Sequence, residues 1–365
     1  MKAEAQARLE KLWALHPEAS PAFEQALARE AVARSRRFIK GVKAYQQSTV
    51  RRTAPFGPVI WQEGSTSLRD YNPRQTELPI VLVIPSLINR FEILDLDRQN
   101  SFLRALAAHG FRPLVVDWSE PGTAEMNFDV TSYVTRRLVP ILEAITATGG
   151  PAVHMVGYCM GGLLALALAS RCPQQTRTLT LMATPWDFHK PDPEIGPQYL
   201  ALSDRIEPQL QAIGHLPVDF IQSLFAVFQP MQIVNKFTEA AAYPPHSPEA
   251  RHFVLLEDWL NEGVPLTAPV ARDALRGWYG ENRTAEMEWS VAGERVDPRL
   301  IAKPVYVIAP DKDRIVPPES AKPLARLFPH ATLHEPMMGH IGLVASRNAP
   351  QQVWAGLFKW LSTHN

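Results

Sequence analysis

The chain carries two textures of apolar segment. Residues 78–84 (LPIVLVI), 113–116 (PLVV), 153–158, 178–183 and 304–308 (PVYVI) are short, nearly continuous apolar runs. Runs without alternation predict strands buried on both faces. Helical stretches lie between them at 97–109, 130–148, 163–170, 318–327 and 350–361, the first of them amphipathic. They predict helices, the first ending at Gly110 and the second at Gly149-Gly150, where glycine serves as the stop. Residues 332–335 read as a further short strand, and 59–61 and 67–68 as two more joined by a Gly64 turn. Strands alternating with helices predict an α/β fold whose mostly parallel sheet is covered on both faces.

Two stretches break the alternation. The N-terminal segment reads as two helices with a break at Ser20-Pro21, where Pro suits a first helical turn. Phe38, Val42 and Tyr45 form an apolar stripe beside Arg34, Arg36, Arg37, Lys40 and Lys43. The stripe suits a docking arm for a partner, a membrane surface or an acidic polymer, or simply a packed helical hairpin. Between about 190 and 295 the chain is helical and Pro-interrupted, with Phe220, Phe225, Phe228, Phe237, Trp259, Trp278 and Tyr279. That length is too great for an ordinary loop. It predicts a lid over the carboxyl ends of the strands, where open α/β sheets bind ligands. The expected organisation is a helical arm (1–54), a sheet domain (55–190 and 296–365) and an inserted helical lid (191–295).

Composition narrows the function. Lys plus Arg and Asp plus Glu are equal at 37 each, which removes the global charge argument for nucleic-acid binding. The balance hides an asymmetry: residues 1–52 hold 11 Lys/Arg against 5 Asp/Glu, so the arm is basic and the remainder acidic. Prolines number 33, many of them at the arm-to-sheet junction and in the lid. Cys159 and Cys172 are too few for a disulfide framework or a structural zinc site, and no metal cluster or nucleotide loop is expected. No apolar run reaches the roughly 18 residues of a membrane span, and no secretory pattern opens the chain, so a cytoplasmic location is expected.

The chemistry sits on one strand-to-helix turn. Gly157-Tyr158-Cys159-Met160-Gly161-Gly162 has the pattern of a nucleophile elbow with Cys in place of Ser. So tight a turn needs neighbours without side chains, which Gly157 and Gly161 supply. The helix N-terminus favours thiolate, and the Met160 N–H is placed to meet an oxyanion. This turn predicts the α/β-hydrolase fold, in which the order is nucleophile, acid, histidine. Asp313 follows the 304–308 strand, and His340 follows 332–335. Asp311 is the rival acid; His334, inside a predicted strand, is the rival base. The second oxyanion donor is expected in the loop Ile84-Pro85-Ser86-Leu87-Ile88-Asn89-Arg90, from Ile88 or Leu87. Asn89 and Arg90 suit orienting that loop or meeting a phosphate, or a plain surface turn.

Several segments together resemble the polyhydroxyalkanoate synthases, short form. They are Pro85 to Arg90 with Ile93-Leu94-Asp95-Leu96, Asp117-Trp118 with Pro121, the elbow, Thr184-Pro185-Trp186-Asp187-Phe188, Asp313-Arg314-Ile315-Val316-Pro317 and Gly339-His340-Ile341-Gly342. Departures are Ser119, where the family usually has Gly, and an unusual Glu257-Asp258-Trp259-Leu260-Asn261 and Gly277-Trp278-Tyr279-Gly280 pattern in the lid. The resemblance implies an acyltransferase in which Cys159 takes the acyl group of a 3-hydroxyacyl-CoA. His340 would deprotonate Cys159, and Asp313 would hold His340 and help activate the next 3-hydroxyl. CoA would enter and leave with the substrate, with no bound cofactor. Implied partners are the growing polyester and a second copy or second synthase subunit, at a polyester granule surface. The competing readings are a Cys-dependent thioesterase, ester hydrolase or depolymerase, and a non-catalytic granule-associated binding protein.

Overall fold

The computed structural model describes residues 2–15, 20–147, 150–228 and 231–365. Eight strands form the central sheet: β1 (Val59–Glu63), β2 (Thr66–Asp70), β3 (Ile80–Ile84), β4 (Arg112–Asp117), β5 (Val153–Tyr158), β6 (Thr176–Met182), β7 (Val305–Ile308) and β8 (Ala331–His334). Their spatial order is β1-β2-β4-β3-β5-β6-β7-β8. β1 and β2 pair antiparallel, β2 joins β4 antiparallel, and every later pairing is parallel. The apolar runs predicted as strands are these strands, and β5 is buried at every position because helices cover both faces.

Register decides where the loops emerge. Ile84 pairs with Gly157, Tyr158 with Met182, Met182 with Ile308, and Ile308 with His334. The carboxyl ends of β3, β5, β6, β7 and β8 therefore lie in a row, and the segments that follow them leave the sheet side by side. The helix Met160–Arg171 is buried from Met160 through Ala169, which is why its sequence is apolar on all sides.

One helix starts later than its periodicity suggests. The stretch predicted from residue 97 begins at Phe102, with Ser101 as its cap accepting from the Arg104 N–H at 3.0 Å. The Asp97 side chain instead accepts from the N–H groups of Gln99 and Asn100, which closes a turn. Gly110 follows with φ +85°, as its stop role requires. The helix predicted over 130–148 spans 130–146, and Thr148 and Gly149 lie outside the described residues.

By contacts the described residues divide into two units, 1–51 with 229–255, and 52–228 with 256–365. In the smaller unit the helix Ser20–Gln46 packs on the helix Gln232–Ala240. Gly41 lets the backbones meet, since a Cβ there would overlap the Phe237 carbonyl. The predicted stripe packs inward: Phe38 and Tyr45 have ring centroids 6.1 and 5.9 Å from Phe237, and Phe253 lies 5.3 Å from it. Residues 191–295 are thus shared between the units. The larger unit holds the whole sheet together with residues 191–228 and 256–295, including the helix Ile195–Ile213 and a widened, π-type helical segment Asp273–Gly280.

Candidate active site

Cys159 stands between β5 and the helix Met160–Arg171, at φ +57° and ψ −130°. A non-glycine residue at such a φ is strained and persists only where its surroundings hold it. The Cys159 N–H donates to the Met182 carbonyl at 2.9 Å, which pins the turn to β6. Three glycines let the chain close. A Cβ on Gly157 would meet the Gly162 backbone, one on Gly161 would overlap the Ile84 and Pro85 carbonyls, and one on Gly162 would overlap Thr184. Met160 is the first residue of its helix, so its N–H has no intrahelical acceptor and is open to an anion.

The loops after β7 and β8 bring Asp313 and His340 together. His340 Nδ1 donates to Asp313 Oδ2 at 2.7 Å. Asp313 Oδ1 accepts from the N–H groups of Ile315 and Val316, both at 2.9 Å, so the carboxylate is locked in orientation. Both side chains are buried. Nδ1 being engaged, Nε2 remains for a hydrogen bond with Cys159. Burial opposes charging this imidazole, but Cys159 and Asp313 outweigh it and push His340 up to about 10. The rivals are engaged elsewhere: Asp311 pairs with Lys322 at 3.0 Å, and His334 Nε2 donates to the Gln352 carbonyl at 2.7 Å.

The loop after β3 forms the opposite wall. Trp118 Nε1 donates to the Pro85 carbonyl at 3.0 Å, Val264 N–H to the Ile88 carbonyl at 3.1 Å, and Trp259 Nε1 to the Arg90 carbonyl at 2.8 Å. Ile88 lines the same cavity as Cys159 and Met160. Its N–H points at Ser86 Oγ, 3.2 Å away. Arg90 pairs with Glu120 at 3.0 Å. Ser119 has φ +55°, a conformation in which glycine would be unstrained.

Above Cys159 lies a cavity whose space, counted together with its open mouth, is about 730 Å³. Its walls are apolar: Leu163, Phe188, Leu216, Ile221, Leu275 and Trp278 are among them. Among the described residues no Lys, Arg, Asp or Glu lines it. The roof comes from Ile195–Ile213, Val218–Phe228 and Asp273–Gly280, all within the larger unit.

Sequence reasoning missed three tyrosines. The Tyr158 hydroxyl donates to the His340 carbonyl at 3.2 Å, tying the histidine loop to the residue before the nucleophile. Tyr199 and Tyr279 line the cavity. Tyr158 had a signal in its position beside Cys159. Tyr279 had one in the unusual Gly277-Trp278-Tyr279-Gly280 pattern, and Tyr199 had none.

With a sharp Cys-bearing turn, a His–Asp pair on later loops and an eight-stranded sheet of this order, the architecture is settled by comparison. The α/β hydrolase fold family matches residues 79–345. The chain belongs to the α/β hydrolase fold family. Among α/β hydrolases of solved structure, the chain resembles a monoacylglycerol lipase of Paleococcus ferrophilus (TM-score 0.52, 14% identity, covering 82% of this chain and 99% of that one). It also resembles a thioesterase domain from the curacin biosynthetic pathway (TM-score 0.51, 16% identity, covering 85% and 100%). Both likenesses concern the fold. In sequence the chain is 28% identical over 318 residues to the poly(3-hydroxyalkanoate) polymerase subunit PhaC of Haloferax mediterranei, spanning 83% of this chain and 63% of that one. It is 24% identical over 314 residues to the PhaC subunit of a Synechocystis strain, spanning 83% of each. Among the described residues of this α/β hydrolase, no helix is long and apolar enough to cross a membrane.

Proposed function

We propose that the protein is an acyltransferase of the polyhydroxyalkanoate synthase type. The observation that carries the proposal is the apolar, roofed cavity that closes over an elbow cysteine within reach of a buried His–Asp pair. An acyl-enzyme built to await a hydroxyl nucleophile must be shielded from water, and such walls provide that shield. The similarity to PhaC subunits supports the same chemistry.

In this reading His340 takes the Cys159 proton, and the thiolate attacks the thioester carbonyl of a 3-hydroxyacyl-CoA. Negative charge on the carbonyl oxygen meets the Met160 N–H and a donor from the loop at Ile88, which exchanges its Ser86 contact for the oxyanion. Collapse breaks the bond to the CoA sulfur, and His340 returns the proton to CoA. The 3-hydroxyl of the next acyl group then attacks the Cys159 thioester. His340, oriented by Asp313, accepts the hydroxyl proton, an ester bond forms and Cys159 is released. CoA acts as part of the substrate. A second copy of the chain or a second subunit, and a place at a polyester granule surface in the cytoplasm, belong to the same proposal.

The test is incubation with 3-hydroxybutyryl-CoA followed by intact-mass and peptide mass spectrometry. The expected result is a 3-hydroxybutyryl adduct on Cys159, several equivalents of CoA released and polyester formed. Cys159→Ala abolishes all three. Unchanged turnover in that variant would sink the mechanism. One free acid per CoA released would make the enzyme a thioesterase instead.

A further inference from the structure

Among the described residues the cavity over Cys159 carries few polar side-chain groups: Cys159 itself, the phenols of Tyr199 and Tyr279, and the indole of Trp278. A phenol facing an apolar cavity is costly unless it gains a partner there. We propose that the Tyr279 hydroxyl donates a hydrogen bond to the oxygen on C3 of the acyl group and thereby selects 3-oxygenated acyl thioesters over plain ones. The inference rests on the acyl-transfer reading above and names the group of that site which recognises the substrate.

Tyr279 is held for this task. Its ring stacks on Tyr199 at 4.5 Å and meets the edge of Phe188 at 4.7 Å. Its carbonyl accepts from His189 Nε2 at 2.8 Å. The His189 segment is itself tied down, since Asn282 Nδ2 donates to Asp187 Oδ1 at 3.0 Å and the Phe188 N–H donates to Asn282 Oδ1 at 2.9 Å. Tyr279 lies in the widened helical segment Asp273–Gly280, a geometry that recurs at functional sites because it re-aims a side chain. A Cβ on Gly280 would press on the Leu200 side chain, which would have to shift.

Burial first, then Tyr199 and the nearby Cys159, raise the Tyr279 phenol far above its ordinary value. It is therefore a permanent donor at working pH, and Cys159 is close enough to be felt. Tyr279 is also the ring clasped by both Tyr199 and Phe188, which fixes where its hydroxyl lies. Of the oxygens a 3-hydroxyacyl group brings, the carbonyl oxygen goes to the oxyanion donors. The C3 oxygen is the one left to be satisfied inside an apolar chamber. Butyryl, lacking it, would leave the phenol unpaired.

The experiment compares first-turnover acylation of Cys159 by 3-hydroxybutyryl-CoA and by butyryl-CoA, using rapid quench and mass spectrometry. Tyr279→Phe keeps the ring and its stacking. It is expected to slow acylation by 3-hydroxybutyryl-CoA about tenfold while changing acylation by butyryl-CoA less than about twofold. Tyr199→Phe is expected to leave the preference between the two esters as in wild type. Equal loss with both esters would reduce Tyr279 to a packing role and overturn the proposal, as would no loss with either. Failure of the wild-type protein to be acylated by either ester would overturn the acyl-transfer reading itself, and this inference with it.

Discussion

At the scale of residues, the site works by dividing tasks among groups that the fold keeps in different environments. Cys159 sits at the head of a helix beside His340, whose charged form burial opposes but Cys159 and Asp313 favour, whereas Cys172 is a half-buried thiol pushed up by burial. At pH 7, iodoacetamide is therefore expected to modify Cys159 at least about tenfold faster than Cys172, read from peptide masses over time. Equal rates would show that the histidine does not activate the sulfur. Asp313→Asn keeps a group able to hold His340 but removes the negative charge. Acylation is expected to slow by about 10²- to 10⁴-fold, with the Cys159 adduct still appearing at long times. The elbow, Asp313 and His340 were legible in the sequence, because glycine spacing and residue order are local signals. Tyr158, Tyr199 and Tyr279 were not. A tyrosine becomes polar machinery only when its ring is fixed by neighbours distant in the chain.

At the scale of elements, β5 carries a second buried histidine with no part in the chemistry. His154 Nδ1 lies 2.8 Å from Thr178 Oγ1 and Nε2 lies 2.8 Å from Asn365 Oδ1. Burial above all, with the charges of Arg177 and His364, lowers it to about 4, although the Asn365 contact works the other way. The folded protein keeps this imidazole neutral, while the unfolded chain protonates it near 6.5. Between those values the unfolded state binds more protons, so stability is lost as pH falls from about 6.5 toward 4. His154→Gln is expected to remove up to about 3 kcal/mol of that acid-induced loss, measured by urea denaturation at pH 7 and pH 4.5. An unchanged pH slope would place the acid sensitivity elsewhere. The strands were read correctly because short apolar runs bounded by turn residues suit strands buried on both faces. The helix start at Phe102 was missed because Asp97 spends its side chain on a turn before the helix opens.

At the scale of the whole molecule, the chain makes two units, and the smaller one uses a glycine as its contact point. Gly41→Leu would force a side chain into the Phe237 backbone. It is expected to destabilise the helix pair 20–46 and 232–240 by about 2 kcal/mol, read as faster amide hydrogen exchange in both helices. Unaltered exchange there would mean that the two helices do not depend on each other. The sequence by itself determined the sheet and the elbow and pointed to Asp313 and His340 in the loops that follow later strands, since each rests on periodicity or on residues adjacent in the chain. Only the tertiary structure decided three things. It joined residues 229–255 to the basic arm while 191–228 and 256–295 went with the sheet. It paired His340 with Asp313 and sent Asp311 to Lys322. It also turned Tyr279 into an apolar chamber above Cys159. The reason is the same in each case. Strand register sets which loops emerge together, and packing between segments far apart in the chain sets which groups lose water; neither quantity is written at any single position.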